Sequence, residues 1–252
     1  MISIILTRLI NIYKIADMLF YEKSSSLLRV KVAAVIPAAG IGSRMLSNIP
    51  KQYIKIKGRT ILEHSVNIFL MNFNIKKIII VLHKKDNFFY KLPIALHPKV
   101  FSVIGGRSRI NSVLLGLLAI HDSEWVVIHD AVRPCLDFHD LEKIMNVIKY
   151  STFGGILATP VINTIKYSIN NLSVLHTINR DKLWNALTPQ CFPLELLISC
   201  VKKIIKKKIS VTDEASVMEY FGYYPELVRG SSKNIKITYQ EDIDLASYYL
   251  KK

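Results

Sequence analysis

Two short stretches hold most of the residues that could do chemistry, and both suit anionic phosphate. In Pro37-Ala38-Ala39-Gly40-Ile41-Gly42-Ser43-Arg44-Met45, positions 38, 39, 40 and 42 have little or no side chain, so backbone N–H groups there can face phosphoryl oxygens. Arg44 and, after Pro50, Lys51 add full positive charge on either side of that cradle. The second stretch is His129-Asp130-Ala131-Val132-Arg133-Pro134. Asp130 is the candidate Mg²⁺ ligand, because that ion takes one or two protein carboxylates and completes its shell with phosphate and water. The same carboxylate could instead pair with Arg133 or cap a helix starting near Phe138. No Ser-His-Asp set, thiolate site or redox motif competes. Cations around small-residue loops plus one carboxylate are what phosphoryl or nucleotidyl transfer needs, which is positioning and charge stabilisation more than covalent catalysis.

Apolar periodicity supplies the elements that must position these residues. Val32 to Ile36 is a buried-strand run that breaks at Pro37 into the small-residue loop, with a helix expected to open near Gly42. Residues 61–70 have helical spacing, and Lys77 to Leu82 is a second strand run. Val100 to Ile104 is a third, ending in Gly105-Gly106-Arg107-Ser108-Arg109-Ile110-Asn111-Ser112; Ser108 or Ser112 could cap a helix over Val113 to Ile120. Trp125 to Ile128 leads into His129-Asp130, and another strand opens at Gly154. Strand and helix alternate, so the fold class is α/β, and Gly-rich turns at strand ends are where open α/β sheets place ligand loops. Asn163 to Asn179 alternates apolar and polar residues around Asn170-Asn171, which predicts a β-hairpin. Such a hairpin is marginal alone in water, so a partner for it is expected. Thr212 is expected to cap a short helix with Asp213 and Glu214 in its first turn. Residues 225–228 and 235–237 are expected as closing strands, and 240–250 as a final helix.

The 252 residues are half apolar, which suits one large domain over 29–252 preceded by an extension over 1–28. Lys and Arg total 34 against 19 Asp and Glu. Such an excess raises the question of nucleic acid or an anionic membrane. Much of it is Lys in a chain also rich in Ile and Asn, and the run Lys202 to Lys208 lacks interleaved aromatics, so neither partner is expected. Three cysteines without Cys-x-x-Cys spacing suggest no disulfide framework and a reducing compartment. Arg8, Lys14 and Asp17 interrupt the apolar N-terminal residues well short of the roughly 20 that a membrane span needs. Residues 1–28 are either a dispensable start or a transit peptide. A bacterial cytoplasmic location is expected in the first case and a plastid-type organelle in the second.

The run Pro-Ala-Ala-Gly-x-Gly-x-Arg-Met, with Pro-Lys-Gln-Tyr after it and His-Asp-Ala-x-Arg-Pro downstream, resembles the 2-C-methyl-D-erythritol 4-phosphate cytidylyltransferase family of Rossmann-like nucleotidyltransferases. The resemblance runs from about Val32 to the C-terminus and recurs in Asn-Arg-Asp-x-Leu-Trp, Leu-Thr-Pro-Gln, Thr-Asp-Glu-Ala-Ser and Asn-Ile-Lys-Ile-Thr. It implies a Rossmann-like, mostly parallel sheet flanked by helices, with a β-hairpin dimerisation arm at about 162–180 and a homodimer built through it. It assigns Pro37, Ala38, Ala39, Gly106 and Ser112 to the cytosine base, and Gly40, Gly42, Arg44, Lys51, Asp130 and Ala131 to the rest of CTP. Arg133, Thr164, Arg180, Thr188, Thr212 and Lys236 go to the methylerythritol phosphate, some of them reaching across the dimer. Hydroxyls suit a polyol and cations suit its phosphate. This chain has Arg107 where the family commonly has an acidic residue, so that contact is not carried over.

The implied reaction moves CMP from CTP, with Mg²⁺ or another divalent cation, to 2-C-methyl-D-erythritol 4-phosphate and releases pyrophosphate. Arg44, Lys51, Arg180 and Lys236 are the catalytic candidates. Three rivals stay open at this stage: a cytidylyltransferase for another polyol phosphate such as ribitol 5-phosphate, a non-catalytic nucleotide- or nucleic-acid-binding protein, and a dehydrogenase. The last lacks its third glycine, since Gly40-Ile41-Gly42 continues into Arg44.

Overall fold

The computed structural model describes residues 30–40 and 49–250. Gly42, Arg44, the helix expected near Gly42 and the extension over 1–28 lie outside the described residues. In chain order the elements are β1 (Val32–Pro37), the paired β2 (Lys55–Ile56) and β3 (Arg59–Thr60), α1 (Ile61–Leu70), β4 (Ile75–Leu82), β5 (Val100–Ile104) and α2 (Arg109–Leu118). They continue with β6 (Trp125–Ile128), α3 (Phe138–Met145), β7 (Gly155–Pro160), β8 (Ile165–Tyr167), β9 (His176–Ile178) and β10 (Trp184–Pro193). The chain closes with α4 (Leu194–Lys207), α5 (Glu214–Tyr220), β11 (Glu226–Arg229) and α6 (Glu241–Tyr249).

Seven strands form one sheet in the order β11-β7-β10-β6-β1-β4-β5. Pairing is parallel throughout except at β10, which runs against both β6 and β7. The expected mostly parallel α/β sheet is therefore observed. Its central strands are apolar at nearly every position because both faces are covered. Val32, Ala34 and Ile36 share one core with Leu62, Val66 and Phe69 of α1 and Leu141 and Ile144 of α3. Ala33 and Val35 face the other way, into Val113 and Leu117 of α2 and Leu197 and Val201 of α4. A Cβ on Gly116 would lie 2.7 Å from Val35 Cγ1, so glycine lets α2 lie close on the sheet.

Three expectations are corrected. The second Gly-rich turn gives way to helix at Arg109 rather than Val113, because Ser108 caps it by accepting from Asn111 N–H. The cap of α5 is Asp213, not Thr212: Asp213 accepts from Ser216 N–H and Ser216 Oγ returns to Asp213 N–H. Capping at Thr212 would put Ala215 in the third helical position, with no side chain to reciprocate. Residues 235–237 form no strand. Ile237 N–H donates to the Val132 carbonyl, and Ile237 is buried in a small cluster with Ile56, Ile61 and Ala246. The alternation reflects that burial.

The hairpin is where the alternation placed it. β8 pairs with β9 from Ile165↔Ile178 to Tyr167↔His176, beyond the last β7–β10 pair at Pro160↔Trp184. Ile162, Ile169, Leu172 and Leu175 stand exposed along it. Among the described residues, no helix is long and apolar enough to cross a membrane.

Candidate active site

Strands β1, β4, β5 and β6 end at one rim, and the loops leaving them enclose a cavity of about 770 Å³. This is the crevice beyond the carboxyl ends of the strands, beside the point where the chain moves from one side of β1 to the other. The loop after β1 contributes Pro37, Ala38, Ala39 and Gly40, and Lys51 follows from the next turn. Gly106 and Ser112 come from the loop and helix after β5, Asp130 and Ala131 from the end of β6, and Lys236 from the segment before α6.

Close contacts shape the two glycine-bearing loops. A Cβ on Gly105 would lie 2.8 Å from both Ala39 Cβ and Ser112 Oγ, so the β1 and β5 loops meet there only because that atom is absent. Ser112 Oγ donates to the Ser108 carbonyl and accepts from Gly106 N–H, closing the second loop on itself. Ala38 departs from its expected role as an anion donor. Its N–H goes to the Val81 carbonyl and its carbonyl takes Gln52 Nε2, both at 2.8 Å. Among the described residues, Ala39 and Gly40 keep N–H groups for a ligand. Buried Gln52 also reaches the Gly40 carbonyl and so fixes the loop.

Asp130 is the electrostatic centre. Lys236 Nζ lies 3.0 Å and Arg133 Nε 3.3 Å from its Oδ2, and Arg109 Nη2 lies 3.5 Å from Oδ1. Burial alone would raise the Asp130 pKa, but Lys236, Arg109 and Arg133 together hold it well below the usual carboxylate range. Arg109 is itself gripped by Glu214, which is fully buried, through Nη1–Oε1 at 2.6 Å and Nη2–Oε2 at 3.1 Å. Burial opposes the Arg109 charge; the Glu214 carboxylate, helped by Asp130, more than offsets it and raises the pKa. Lys51 Nζ donates to the Ile237 carbonyl at 3.0 Å, which ties the segment carrying Lys236 to the first loop.

A second set of contacts lies behind Asp130. His129 Nε2 meets the Arg133 carbonyl at 3.1 Å, an acceptor only, so Nε2 carries the proton and Nδ1 accepts from Thr188 Oγ1 at 2.9 Å. Thr188 Oγ1 in turn accepts from Asp130 N–H at 3.1 Å. The β7–β10 register shifts between Ala186 and Gln190, and this bulge carries Thr188 toward the end of β6. Arg133 Nη1 donates to the Asn234 carbonyl and Asn234 Nδ2 to the Thr188 carbonyl, so Arg133 and Thr188 are buried structural partners of Asp130.

Thr164 and Arg180 lie on the exposed arm, where Arg180 donates to the Ile162 carbonyl; Thr212 is exposed beside α5. None of these three lines the cavity. Gln52, Arg109, His129 and Glu214 were not among the candidates, although all four sit within the motifs read from the sequence. Arg107 lines the cavity and is exposed. Among the described residues, no three His, Cys, Asp or Glu side chains gather to hold a metal. A lone ionised carboxylate at the cavity wall fits a cation that takes its other ligands from a polyphosphate and water.

A cleft at the strand ends of a mostly parallel α/β sheet, lined by cations, one carboxylate and small-residue loops, is suited to receive a polyphosphate, as in nucleotide-handling transferases. A sequence model of the 2-C-methyl-D-erythritol 4-phosphate cytidylyltransferase family matches residues 32–252, and the chain belongs to that family. The protein of that name from Buchnera aphidicola subsp. Acyrthosiphon pisum is 56% identical over 227 residues, 90% of this chain and 96% of its own. Its counterpart from Wigglesworthia glossinidia brevipalpis is 50% identical over 220 residues, 87% and 96% of the two chains. Among solved structures, the Francisella tularensis 2-C-methyl-D-erythritol 4-phosphate cytidylyltransferase superposes with a TM-score of 0.76 at 35% identity, covering 87% of this chain and 100% of that one. The Anaerococcus prevotii 4-diphosphocytidyl-2C-methyl-D-erythritol synthase gives 0.77 at 32% identity, covering 88% and 97%.

Burial pushes the His129 pKa down to about 4, against about 6.5 in an unfolded chain. Between these values the unfolded chain takes up a proton that the folded one refuses, so stability falls on acidification, by about 3 kcal/mol across the window. The Asp130 contribution has the same sign but is lost only at lower pH, below the unfolded carboxylate pKa of about 4. Urea unfolding from pH 7 to pH 4 is expected to show this loss in the wild type and a much flatter profile in His129→Asn. Equal slopes would remove His129 as the cause.

Proposed function

We propose that this cleft transfers the CMP group of CTP to 2-C-methyl-D-erythritol 4-phosphate, releasing pyrophosphate and forming 4-diphosphocytidyl-2-C-methyl-D-erythritol. The observation that carries the reading is the convergence of Lys51, Lys236 and Asp130 on one cavity at the strand ends of a chain belonging to this family. A phosphate oxygen of the acceptor attacks the α-phosphorus of CTP; the new P–O bond forms as the bond to the departing pyrophosphate breaks. No general base is needed, because a phosphate monoester is already an anion near pH 7.

Lys51 and Arg44 stabilise the extra charge on the transferring and leaving groups. Lys236 and Arg180 aim the acceptor phosphate, and Thr164 and Thr212 are the residues assigned to the polyol; Thr188, whose hydroxyl is taken up by His129 and the Asp130 amide, supports the site from behind. Gly106, Ser112 and the Pro37–Ala39 backbone face the base, with Ala39 the donor not already engaged. Asp130 would hold Mg²⁺, which when bound offsets triphosphate charge. A homodimer through the arm is part of this reading. Its support is the exposed apolar surface of Ile162, Ile169 and Leu172, and the position of Thr164 and Arg180 outside their own chain's cavity.

The first test is pyrophosphate release by the purified chain. It is expected to require CTP, Mg²⁺ and 2-C-methyl-D-erythritol 4-phosphate together, and to fall when ribitol 5-phosphate replaces the acceptor; release that prefers ribitol 5-phosphate would transfer the assignment to that substrate. In the same assay Lys51→Ala should lower kcat by at least about a hundredfold with a much smaller change in CTP affinity; equal losses would refute a transition-state role. Sedimentation equilibrium is expected to give twice the chain mass, and a monomer under assay conditions would rule out a site shared across the arm.

A further inference from the structure

Glu214 is a fully buried carboxylate that the reaction above does not use. It sits in the first turn of α5 and reaches across the fold, 105 positions from Arg109, whose guanidinium it binds with both oxygens. Among the described cations near Asp130, Arg109 is the one with a strong alternative anion: Nη1 is 2.6 Å from Glu214, whereas Nη2 is 3.5 Å from Asp130 Oδ1. That distance exceeds hydrogen-bonding range for charged groups. The two remaining cations, Arg133 and Lys236, approach Oδ2. Among the described residues, Arg109 is the one charged group paired with Oδ1, and Glu214 holds it at 3.5 Å from that oxygen.

We propose that Glu214 is a positioning residue that keeps Arg109 off Asp130, leaving one carboxylate oxygen open to a divalent cation arriving with CTP. The inference rests on the reading of Asp130 as the metal ligand. Its physical basis is competition: three cations and a metal ion contend for two oxygens, and a bidentate Arg–carboxylate pair fixes both the direction and the reach of the guanidinium. Without the Glu214 charge, Arg109 would turn to the nearest anion, which is Asp130.

The test measures CTP binding, without acceptor, by equilibrium dialysis over a series of Mg²⁺ concentrations. In Glu214→Gln the Mg²⁺ concentration for half-maximal binding is expected to rise roughly five- to tenfold, and in the double variant Glu214→Gln/Arg109→Gln to return toward the wild-type value, the non-additivity expected of directly coupled groups. Glu214→Asp, which keeps the charge but withdraws it by one methylene, should give a smaller rise and decides the matter if Glu214→Gln does not fold. A purely structural role predicts lost folded protein without a shifted midpoint in what remains, and an unshifted midpoint in the folded variants overturns the proposal. Asp130→Asn tests the reading beneath it: Mg²⁺ dependence unchanged in that variant would remove the metal assignment itself, whereas dependence lost there but unshifted at Glu214 would remove only the role of Glu214.

Discussion

The charge balance at Asp130 is the constraint on which the rest of the cleft depends. A nearly buried carboxylate stays ionised only if its lost hydration is replaced, and here the replacement comes from three cations at positions 109, 133 and 236. Each cation has its own anchor. Glu214 holds Arg109, the Asn234 carbonyl holds Arg133, and Lys236 lies on a segment tied down at Ile237, whose N–H donates to the Val132 carbonyl and whose carbonyl accepts from Lys51. Fixing one carboxylate thus fixes the loop after β5, the end of β6 and the segment before α6 relative to one another. The cavity is bounded by those same parts.

A neutral network supports the charged one. His129, Thr188 and the Asp130 amide form a directed chain of hydrogen bonds, with the histidine tautomer set by a carbonyl that can only accept. This chain gives a purpose to the irregularity in β10. A regular strand would keep Thr188 in the ladder, whereas the register shift between Ala186 and Gln190 releases it toward β6. Gln190, at the end of the same bulge, accepts from Ala215 N–H and donates to Asp213, so the bulge also seats the start of α5 and with it Glu214. The second sphere and the buried carboxylate therefore share one backbone feature.

How much of this was legible in the sequence follows from the range of each interaction. The run over 125–128 is observed as β6, because burial on both faces leaves an uninterrupted apolar signature, and that over 100–104 as the edge strand β5, where Phe101 and Ile104 stand exposed. The arm was legible for the opposite reason: alternation around Asn170-Asn171 is a local signal of a two-stranded element. Capping was legible only to within a residue, since Thr212 and Asp213 are both acceptable caps and only the reciprocal bond from Ser216 separates them. The pairing of Arg109 with Glu214 and of His129 with Thr188 carries no periodic trace. These pairs span 105 and 59 positions, and only the sheet order brings their segments together. Residues 235–237 misled for a related reason, because an alternating segment becomes a strand only where a neighbouring strand offers free backbone groups.

The Arg109–Glu214 pair also has an energetic meaning that local pattern could not convey. A buried ion pair is weak grounds for stability, since the desolvation of both groups consumes most of the Coulombic gain, and an apolar pair of the same size commonly does as well. Removing one partner is a different matter, for it strands a charge in the interior. Such a pair therefore constrains geometry more than it raises stability. Here the constrained object is a planar guanidinium at the wall of an anion-binding cleft, where a few tenths of an ångström decide whether it bonds Asp130 or stands beside it. A core built for stability alone had no need of a charge at position 214; a site that holds a guanidinium at a fixed place on its wall does.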